Sequence, residues 1–183
     1  MAAFARTHPE LCKIRFTCGV DKDDELVSYV DASYGVHDHG RSHTGGLITM
    51  GGGPVFTKSV KQKLNCKSST EAELIALSDM LSPILWMRNL LESLGRKPSK
   101  VSVLEDNMSV IALVNKGRPT AERTRHIRLR YFFISDYIKR GEVGISHCDT
   151  SSMLADGFTK PWTCDSFEAN APKVHGLAGV VKE

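Results

Sequence analysis

The sequence predicts one α/β domain in which a mixed sheet carries helices on its faces. Three observations lead to this prediction. Beyond residue 24 the chain begins with β-forming runs separated by glycine-containing turns, which is typical of antiparallel strands. A long helical pattern then runs from Ser68 to Gly95, and strand-like and helix-like segments alternate after it. The resulting order β, β, β, α, β, α, α, β, α favours a mixed sheet covered by helices.

Three antiparallel strands are expected to open the domain. The segment "LVSYVDAS" is rich in β-forming residues and stops at Asp31. The glycines and polar residues of "YGVHDHGRSHTGG" then predict a loop that turns back. The segment "GLITMGGGPVFTKSV" predicts two strands around a glycine-proline turn.

The rest of the domain is predicted to be mostly helical, with two more strands. The first helix has a Ser/Thr start and a glycine stop, and Pro83 is expected to kink it or divide it. "KVSVLED" predicts a strand that leads into the helix "NMSVIALVNKG". Residues 121–140 predict another helix, "EVGISHC" a last strand, and "SSMLADGFTK" a last helix ended by Pro161. We therefore expect a lead-in at 1–24, the domain at 25–163 and a C-terminal tail at 164–183.

The composition is that of a globular protein. Of the 183 residues, 41% are hydrophobic and 25% are charged. No apolar run approaches the length that crosses a bilayer, and the first ten residues lack the pattern of a signal peptide. Five scattered cysteines, an odd number, argue against a disulfide framework. We expect an intracellular protein with reduced thiols and no membrane contact.

Basic residues cluster in two places although the net charge is only +3. One cluster comprises Lys58, Lys61, Lys63 and Lys67. The other comprises Lys116, Arg118, Arg123, Arg125, Arg128 and Arg130, with Glu122 as the one acid among them. Such clusters indicate a polyanionic partner, although a solvated face has the same composition.

Glu73 is predicted to point into the protein. On a helical wheel it falls within the apolar stripe of the long helix, in line with Leu77 and Ile84. Glu71 lies about 130° away by the same wheel, on the solvent side. Because a buried carboxylate is costly without a partner, the position of Glu73 requires a cation there.

Three aspartates can join Glu73. Asp31 ends the first predicted strand, Asp106 ends the fourth, and Asp156 lies in the last predicted helix. Each has a structural explanation of its own, as a turn residue, a helix N-cap or an acid near a helix start. Together, four carboxylates without clustered His or Cys favour Mg²⁺ or Mn²⁺ over zinc, and Cys12, Cys18, His147 and Cys148 lack zinc-site spacing. A pair of such ions is the usual arrangement for displacement at phosphorus.

At these residues the sequence resembles the ribonuclease H domain of copia-type (Pseudoviridae) retrotransposon polyproteins. The resemblance covers about Leu26 to Pro161 and lies in "YVDAS", "RSHTGG", "KQKLNCKSSTEAELIALSD", "EDNMSVIAL", "RTRHIRLRYFFI" and "SMLADGFTKP", in this order. It implies a ribonuclease H-like fold, with a mixed five-stranded sheet and helices on both faces. It also implies endonucleolytic hydrolysis of the RNA strand of RNA–DNA hybrids during reverse transcription.

The resemblance further implies a set of site residues and partners. The family's catalytic and metal-binding acids fall on Asp31, Glu73, Asp106 and Asp156, which would hold two Mg²⁺ ions, with Mn²⁺ able to substitute. Expected nucleic-acid contacts fall on Ser69, Thr70, Asn107, Arg125 and His126, although Ser69 and Thr70 can equally be the cap of the long helix and His126 a buried, hydrogen-bonded residue. The expected protein partner is the reverse transcriptase domain of the same polyprotein. The expected location is a cytoplasmic virus-like particle, with the nucleus as another possibility.

The chain departs from the family pattern near the predicted site. Glu105 precedes Asp106 where the family often has a small or aromatic residue, and its like charge can raise a neighbour's pKa. Arg128 stands where many members have an uncharged or acidic residue. These departures leave the four acids in place and put catalytic efficiency in doubt.

Two other classes of protein remain open from the sequence. A decayed or co-opted copy would bind nucleic acid without cutting it, and that binding would survive EDTA. An integrase-like strand transferase normally uses three acids rather than four and places its glutamate late in the domain. The early position of Glu73 argues against that second class.

Overall fold

The computed structural model describes residues 25–98, 100–116 and 125–176. The lead-in predicted for residues 1–24 lies outside the described residues. So do residues 117–124, which include part of the second basic cluster, and the last seven residues of the predicted tail.

Five strands form one mixed sheet in the order β3-β2-β1-β4-β5. The strands are β1 (Glu25–His37), β2 (Arg41–Met50), β3 (Gly53–Asn65), β4 (Lys100–Glu105) and β5 (Gly144–His147). The first three strands pair antiparallel, as predicted, whereas β4 runs parallel to β1 and β5 parallel to β4. The prediction that β1 stops at Asp31 is wrong. The strand continues to His37, because residues read as a loop remain paired with β2 across a bulge between Ser33 and His37.

The four α-helices among the described residues are α1 (Ser69–Ser93), α2 (Met108–Lys116), α3 (Arg125–Lys139) and α4 (Cys164–Val174). Pro83 lies inside α1 without dividing it. The helix predicted for "SSMLADGFTK" is instead two 3₁₀ turns, Thr150–Ser152 and Leu154–Phe158. The segment that was predicted to be a tail contains α4, which contacts the second of these turns.

Helix α1 is the centre of the main hydrophobic core. It lies on the sheet face that carries Leu26 and Val30 of β1 and Val101 and Val103 of β4, and α2 and α3 pack into the same core. By length and composition alone α1 could cross a membrane, and it is the one helix of the described residues that could. That finding departs from the expectation that no such run exists. However, 50% of its most apolar window is buried inside the protein, as in the core helix of a globular domain.

The opposite face of the sheet is covered by the C-terminal segment. Tyr29 and Leu104 project from the central strands and pack against Met153 and Ala155. Because side chains alternate between the faces of a strand, this second layer lies on the opposite side of β1 and β4 from α1. The sheet is therefore a middle layer, and the segment after β5 is brought back across β1.

Candidate active site

Strand register brings Asp31 and Asp106 together. In the parallel pair β1–β4, Tyr29 is the partner of Leu104. Asp31 lies two residues beyond Tyr29, and Asp106 lies two residues beyond Leu104. Both aspartates therefore stand at the carboxyl end of the β1–β4 pair, the edge at which α/β sheets usually bind ligands.

Glu73 reaches the same place from the start of α1. Its side chain is only 6% exposed, so it points inwards as the helical wheel predicts. Gln62 of β3 fixes this end of the helix, because its amide nitrogen donates to the Ala72 carbonyl at 2.9 Å and to the Thr44 hydroxyl at 3.0 Å. The sheet thus holds the backbone next to Glu73.

Replacing Gln62 by leucine is expected to lower the free energy of unfolding by about 1–3 kcal/mol, because buried hydrogen-bonding groups lose their partner. Urea unfolding measures the change. Lys63→Leu, at the exposed neighbouring position, is the matched control and is expected to stay within about 0.5 kcal/mol of the parent. An equal effect of the two substitutions would contradict the role given to Gln62.

Three of the predicted acids form a compact cluster. One carboxylate oxygen from each of Asp31, Glu73 and Asp106 can be chosen so that all three lie within 4.8 Å of one another. Glu73 Oε2 is buried and has no hydrogen-bond partner among the described residues. A buried carboxylate oxygen without a partner, beside two more carboxylates, fits a hard divalent cation such as Mg²⁺ or Mn²⁺.

The structural explanations that compete for two of these acids do not hold. Asp106 does not cap α2, because Asn107 does so: its side-chain oxygen accepts from the Ser109 and Val110 amides at 3.0 and 3.4 Å. The Asp106 carboxylate instead accepts from the Thr150 hydroxyl at 3.1 Å. Asp31 lies inside a strand rather than in a turn. Both carboxylates are therefore free of a local backbone role.

Asp156 lies beside the cluster but is not one of its three members. It stands in the 3₁₀ turn Leu154–Phe158, and its carboxylate pairs with Lys160 Nζ at 2.7 Å. Next to it, the Thr159 hydroxyl donates to Asp31 Oδ2. The residue that follows the turn therefore joins it to the acid cluster.

The 3₁₀ turn lies in close contact with strand β2 at Gly45. A Cβ atom built on Gly45 would lie 2.5 Å from Thr159 Cγ2 and 2.8 Å from the Ala155 carbonyl oxygen. Every residue type other than glycine has a Cβ atom, which would collide with the turn at this position. This explains why a glycine stands at this position of "RSHTGG".

Replacing Gly45 by alanine is expected to destabilise the protein by about 1–3 kcal/mol, because overpacking forces the neighbouring backbone to move. Thermal unfolding measures the change. Gly144→Ala in β5 is the matched control, since its nearest neighbour would be the Val101 carbonyl at an ordinary 3.8 Å. If both substitutions shift the midpoint equally, the close approach at Gly45 has no special role.

Burial and like charge make the cluster electrostatically unfavourable without a cation. Burial raises the pKa of Glu73 to about 10, with further increases from the charges of Glu105, Asp31 and Asp106. Burial likewise raises the pKa of Asp31 and raises that of Glu105 well above its usual value. Glu105 is fully buried, and it is the strongest charged neighbour of Glu73. The like-charge effect foreseen for Glu105 thus falls on Glu73.

The structure describes the surroundings of three of the five residues that were predicted to contact nucleic acid. Ser68, not Ser69 or Thr70, caps α1, since its hydroxyl accepts from the Glu71 amide at 3.3 Å. Ser69 and Thr70 are therefore free of the capping role that competed for them. Asn107 uses its side-chain oxygen to cap α2. The side chains of Arg125 and His126 lie outside the described residues.

Solved structures with the same arrangement define the class of fold. LC11-RNase H1, isolated from compost by a metagenomic approach, superposes with a TM-score of 0.56 at 16% identity, over 74% of this chain and 92% of the other. The foamy viral protease-reverse transcriptase in complex with an RNA/DNA hybrid superposes with a TM-score of 0.51 at 15% identity, over 80% of this chain and 21% of the other. The chain therefore has a ribonuclease H fold.

Sequence comparison finds relatives among retrotransposon polyproteins. The chain is a homologue of the copia-type Gag-Pol polyproteins of the Ty1 transposons. It is 28% identical to the Ty1-DR5 Gag-Pol polyprotein of Saccharomyces cerevisiae over 148 residues, which are 81% of this chain. The aligned part is 8% of the length of that polyprotein. No family model matches the chain.

Proposed function

We propose that the chain is a metal-dependent ribonuclease H that hydrolyses the RNA strand of RNA–DNA hybrids during reverse transcription of a retrotransposon. The observation that carries the proposal is the convergence of Asp31, Glu73 and Asp106 within 4.8 Å at the carboxyl end of the central parallel strands. Three separate segments supply these acids, and no local structural role accounts for Asp31 or Asp106. The fold and the Ty1 homology support the same function.

Asp31, Glu73 and Asp106 would hold the divalent ions, and Asp156 would complete the ligand set. We propose two Mg²⁺ ions, with Mn²⁺ able to replace them. When bound, such ions activate the attacking water and stabilise the leaving oxygen of the phosphodiester.

The remaining residues of the site orient the acids and hold the nucleic acid. The hydroxyls of Thr159 and Thr150 donate to Asp31 and Asp106, which fixes both carboxylates. The exposed ammonium groups of Lys61, Lys63 and Lys67 supply positive charge for the phosphates of the hybrid. Ser69 and Thr70, in the first turn of α1, are proposed to reach the groove that displays the 2′-hydroxyls, by which a protein distinguishes RNA from DNA.

Arg125 and His126 are proposed as further contacts at the start of α3, and Asn107 as a contact beside Asp106. The chain spans 8% of the length of its Ty1 relative, so we propose that it works next to the reverse transcriptase domain of the same polyprotein. A cytoplasmic virus-like particle is the proposed location, and the comparisons give no support to the nucleus. We propose that residues 25–163 form the catalytic domain.

The direct test is cleavage by the purified chain. An RNA strand with a 5′ label, annealed to DNA, is incubated with Mg²⁺ and, in parallel, with EDTA. The proposal expects RNA fragments with Mg²⁺ only, and no cutting of the same RNA when it is single-stranded or of an all-DNA duplex. Absence of cleavage with both Mg²⁺ and Mn²⁺ would reject the activity.

A non-catalytic nucleic-acid-binding domain is the second candidate, favoured by the departure at Glu105. This fifth carboxylate, fully buried beside Glu73, opposes the charged state that metal binding requires. A binding domain would retain the hybrid in EDTA, and Asp106→Asn would leave its affinity unchanged. A gel-shift titration with and without EDTA separates the two candidates.

A further inference from the structure

We propose that Lys160 is a built-in counter-ion of the acid site, which occupies Asp156 in the ion-free protein and must leave before a divalent ion can bind there. The inference rests on the proposed metal site and adds a residue that controls its occupancy. Lys160 would thereby set the concentration of divalent ion at which the site fills completely.

The first support is the geometry of the 3₁₀ turn. Lys160 Nζ lies 2.7 Å from Asp156 Oδ1, the distance of a close ion pair, although Asp156 Oδ1 has no hydrogen-bond partner of regular geometry among the described residues. The Lys160 amide also donates to the Asp156 carbonyl at 3.0 Å, which keeps the two residues in one turn. The ammonium group therefore uses a carboxylate oxygen that a metal ion would need as a ligand.

The second support is the difference in exposure between the two partners. The side chain of Asp156 is 14% exposed, whereas that of Lys160 is 53% exposed. Lysine can therefore rotate away into water at little cost, because its ammonium group is hydrated there. The Asp156 carboxylate, beside the other acids, would then need another cation in its place.

The third support is electrostatic. The close contact with Asp156 raises the pKa of Lys160 against the opposing effect of burial, and the charges of Asp156, Asp31 and Asp106 raise it further. The ammonium group thus interacts with the acid cluster as a whole as well as with Asp156. In return, its charge offsets a part of the rise that burial causes in the pKa of Asp31, so its departure alone would leave the cluster less well neutralised.

These contacts describe an exchange of one cation for another. Lys160 stabilises the acids while no divalent ion is bound, and an ion that binds through Asp156 replaces it. Thr159 is a second donor of the same turn, since its hydroxyl donates to Asp31. Removal of the Lys160 charge should then strengthen divalent-ion binding at Asp156 and lower the stability of the ion-free protein.

The test is a Mn²⁺ titration of the full chain without nucleic acid, followed by electron paramagnetic resonance of the free ion. Lys160→Met is expected to tighten the weaker Mn²⁺ site by about tenfold, the scale on which neighbours of metal ligands act. Lys160→Arg, which keeps the charge, should bind as the parent does. Lys139→Met is the matched control, because Lys139 is exposed on α3, away from the 3₁₀ turn in sequence and structure.

Two further measurements make the result decisive. The tighter Mn²⁺ binding of Lys160→Met should disappear in the double variant Lys160→Met with Asp156→Asn, because the proposed site then lacks its ligand. In EDTA, Lys160→Met should melt below the parent, and Mn²⁺ should raise its melting temperature by more than it raises that of the parent.

Unchanged or weaker Mn²⁺ binding by Lys160→Met would overturn this inference and leave the proposed ribonuclease intact. If the parent itself binds no Mn²⁺, the proposed metal site fails, and the inference fails with it.

Discussion

Asparagine in place of Asp31 is expected to reduce cleavage of the RNA strand by at least about 100-fold, as the loss of one electrostatic group from an active site commonly does. Asp31 belongs to the compact three-acid cluster, and its partner Thr159 orients it. Asparagine has the same shape but one oxygen fewer and no charge, so it is a poor ligand for a hard cation. Initial rates at saturating Mg²⁺ measure the effect.

The fold should survive this substitution. Burial raises the pKa of Asp31, which means that the folded ion-free protein disfavours its charge, so a neutral isostere does not cost stability. Asp38→Asn is the matched control: it makes the same chemical change on the exposed turn between β1 and β2 and should keep full activity. An Asp31→Asn variant that keeps more than about a tenth of the parent rate would show that this carboxylate is not a metal ligand.

The ion-free protein is expected to lose stability as the pH rises from about 6.5 to about 8, between the ordinary and the raised pKa of Glu73. The pKa of Glu73 rises from an ordinary 4.5 to about 10 on folding. Between these values the folded protein keeps a proton that the unfolded chain releases, so stability falls with increasing pH. One such group contributes a slope of up to about 1.4 kcal/mol per pH unit.

Other groups whose pKa changes on folding determine the pH range in which the slope should be measured. The pKa of His43 is lowered by burial, so this histidine acts in the opposite direction at more acidic pH, and the slope is best measured above its ordinary value. The raised pKa of Asp31 acts in the same direction as that of Glu73. The raised pKa of Lys160 changes stability only at strongly alkaline pH.

Urea unfolding in EDTA at several pH values measures this slope, and Mg²⁺ or Mn²⁺ should reduce it, because the ions bind the deprotonated acids. Glu73→Gln should reduce the slope of the EDTA curve, and Glu105→Gln should reduce it too, because Glu105 is itself a buried acid with a raised pKa and is the strongest charged neighbour of Glu73. A curve that is already flat in the parent would mean that the carboxyl groups are not held protonated in the fold.

Residues whose position follows from periodicity could be predicted from the sequence. The helical wheel placed Glu73 in line with apolar residues of α1, and the unbroken run Ala72–Ser78 is buried in the structure. The three antiparallel strands at the start of the domain were predicted from the glycine-containing turns between them. Asp106 was placed at a strand end because a strand pattern is followed there by a helix pattern. These are short-range signals, and tertiary contacts reinforce rather than overrule them.

Features that depend on contacts distant in sequence could not be predicted. The residues of β1 after Asp31 have the composition of a loop, yet pairing with β2 keeps them extended. The segment around Asp156 was predicted to be a helix, yet it forms 3₁₀ turns where Gly157 lies against the ring of Trp162. The sequence suggested Asp106 as a cap of α2, whereas Asn107 has that role, because both residue types cap helices well.

Strand β3 is an edge strand of the sheet, and its exposed backbone affects the solubility of the domain. A long border strand presents unpaired backbone groups on which another polypeptide can form a new ladder, as in amyloid. Here that border is thirteen residues long and bears Lys61 and Lys63, whose charges repel an approaching copy. The lysines proposed to attract phosphates are therefore expected to oppose aggregation of this domain as well, and neutralising them should lower its solubility and weaken substrate binding.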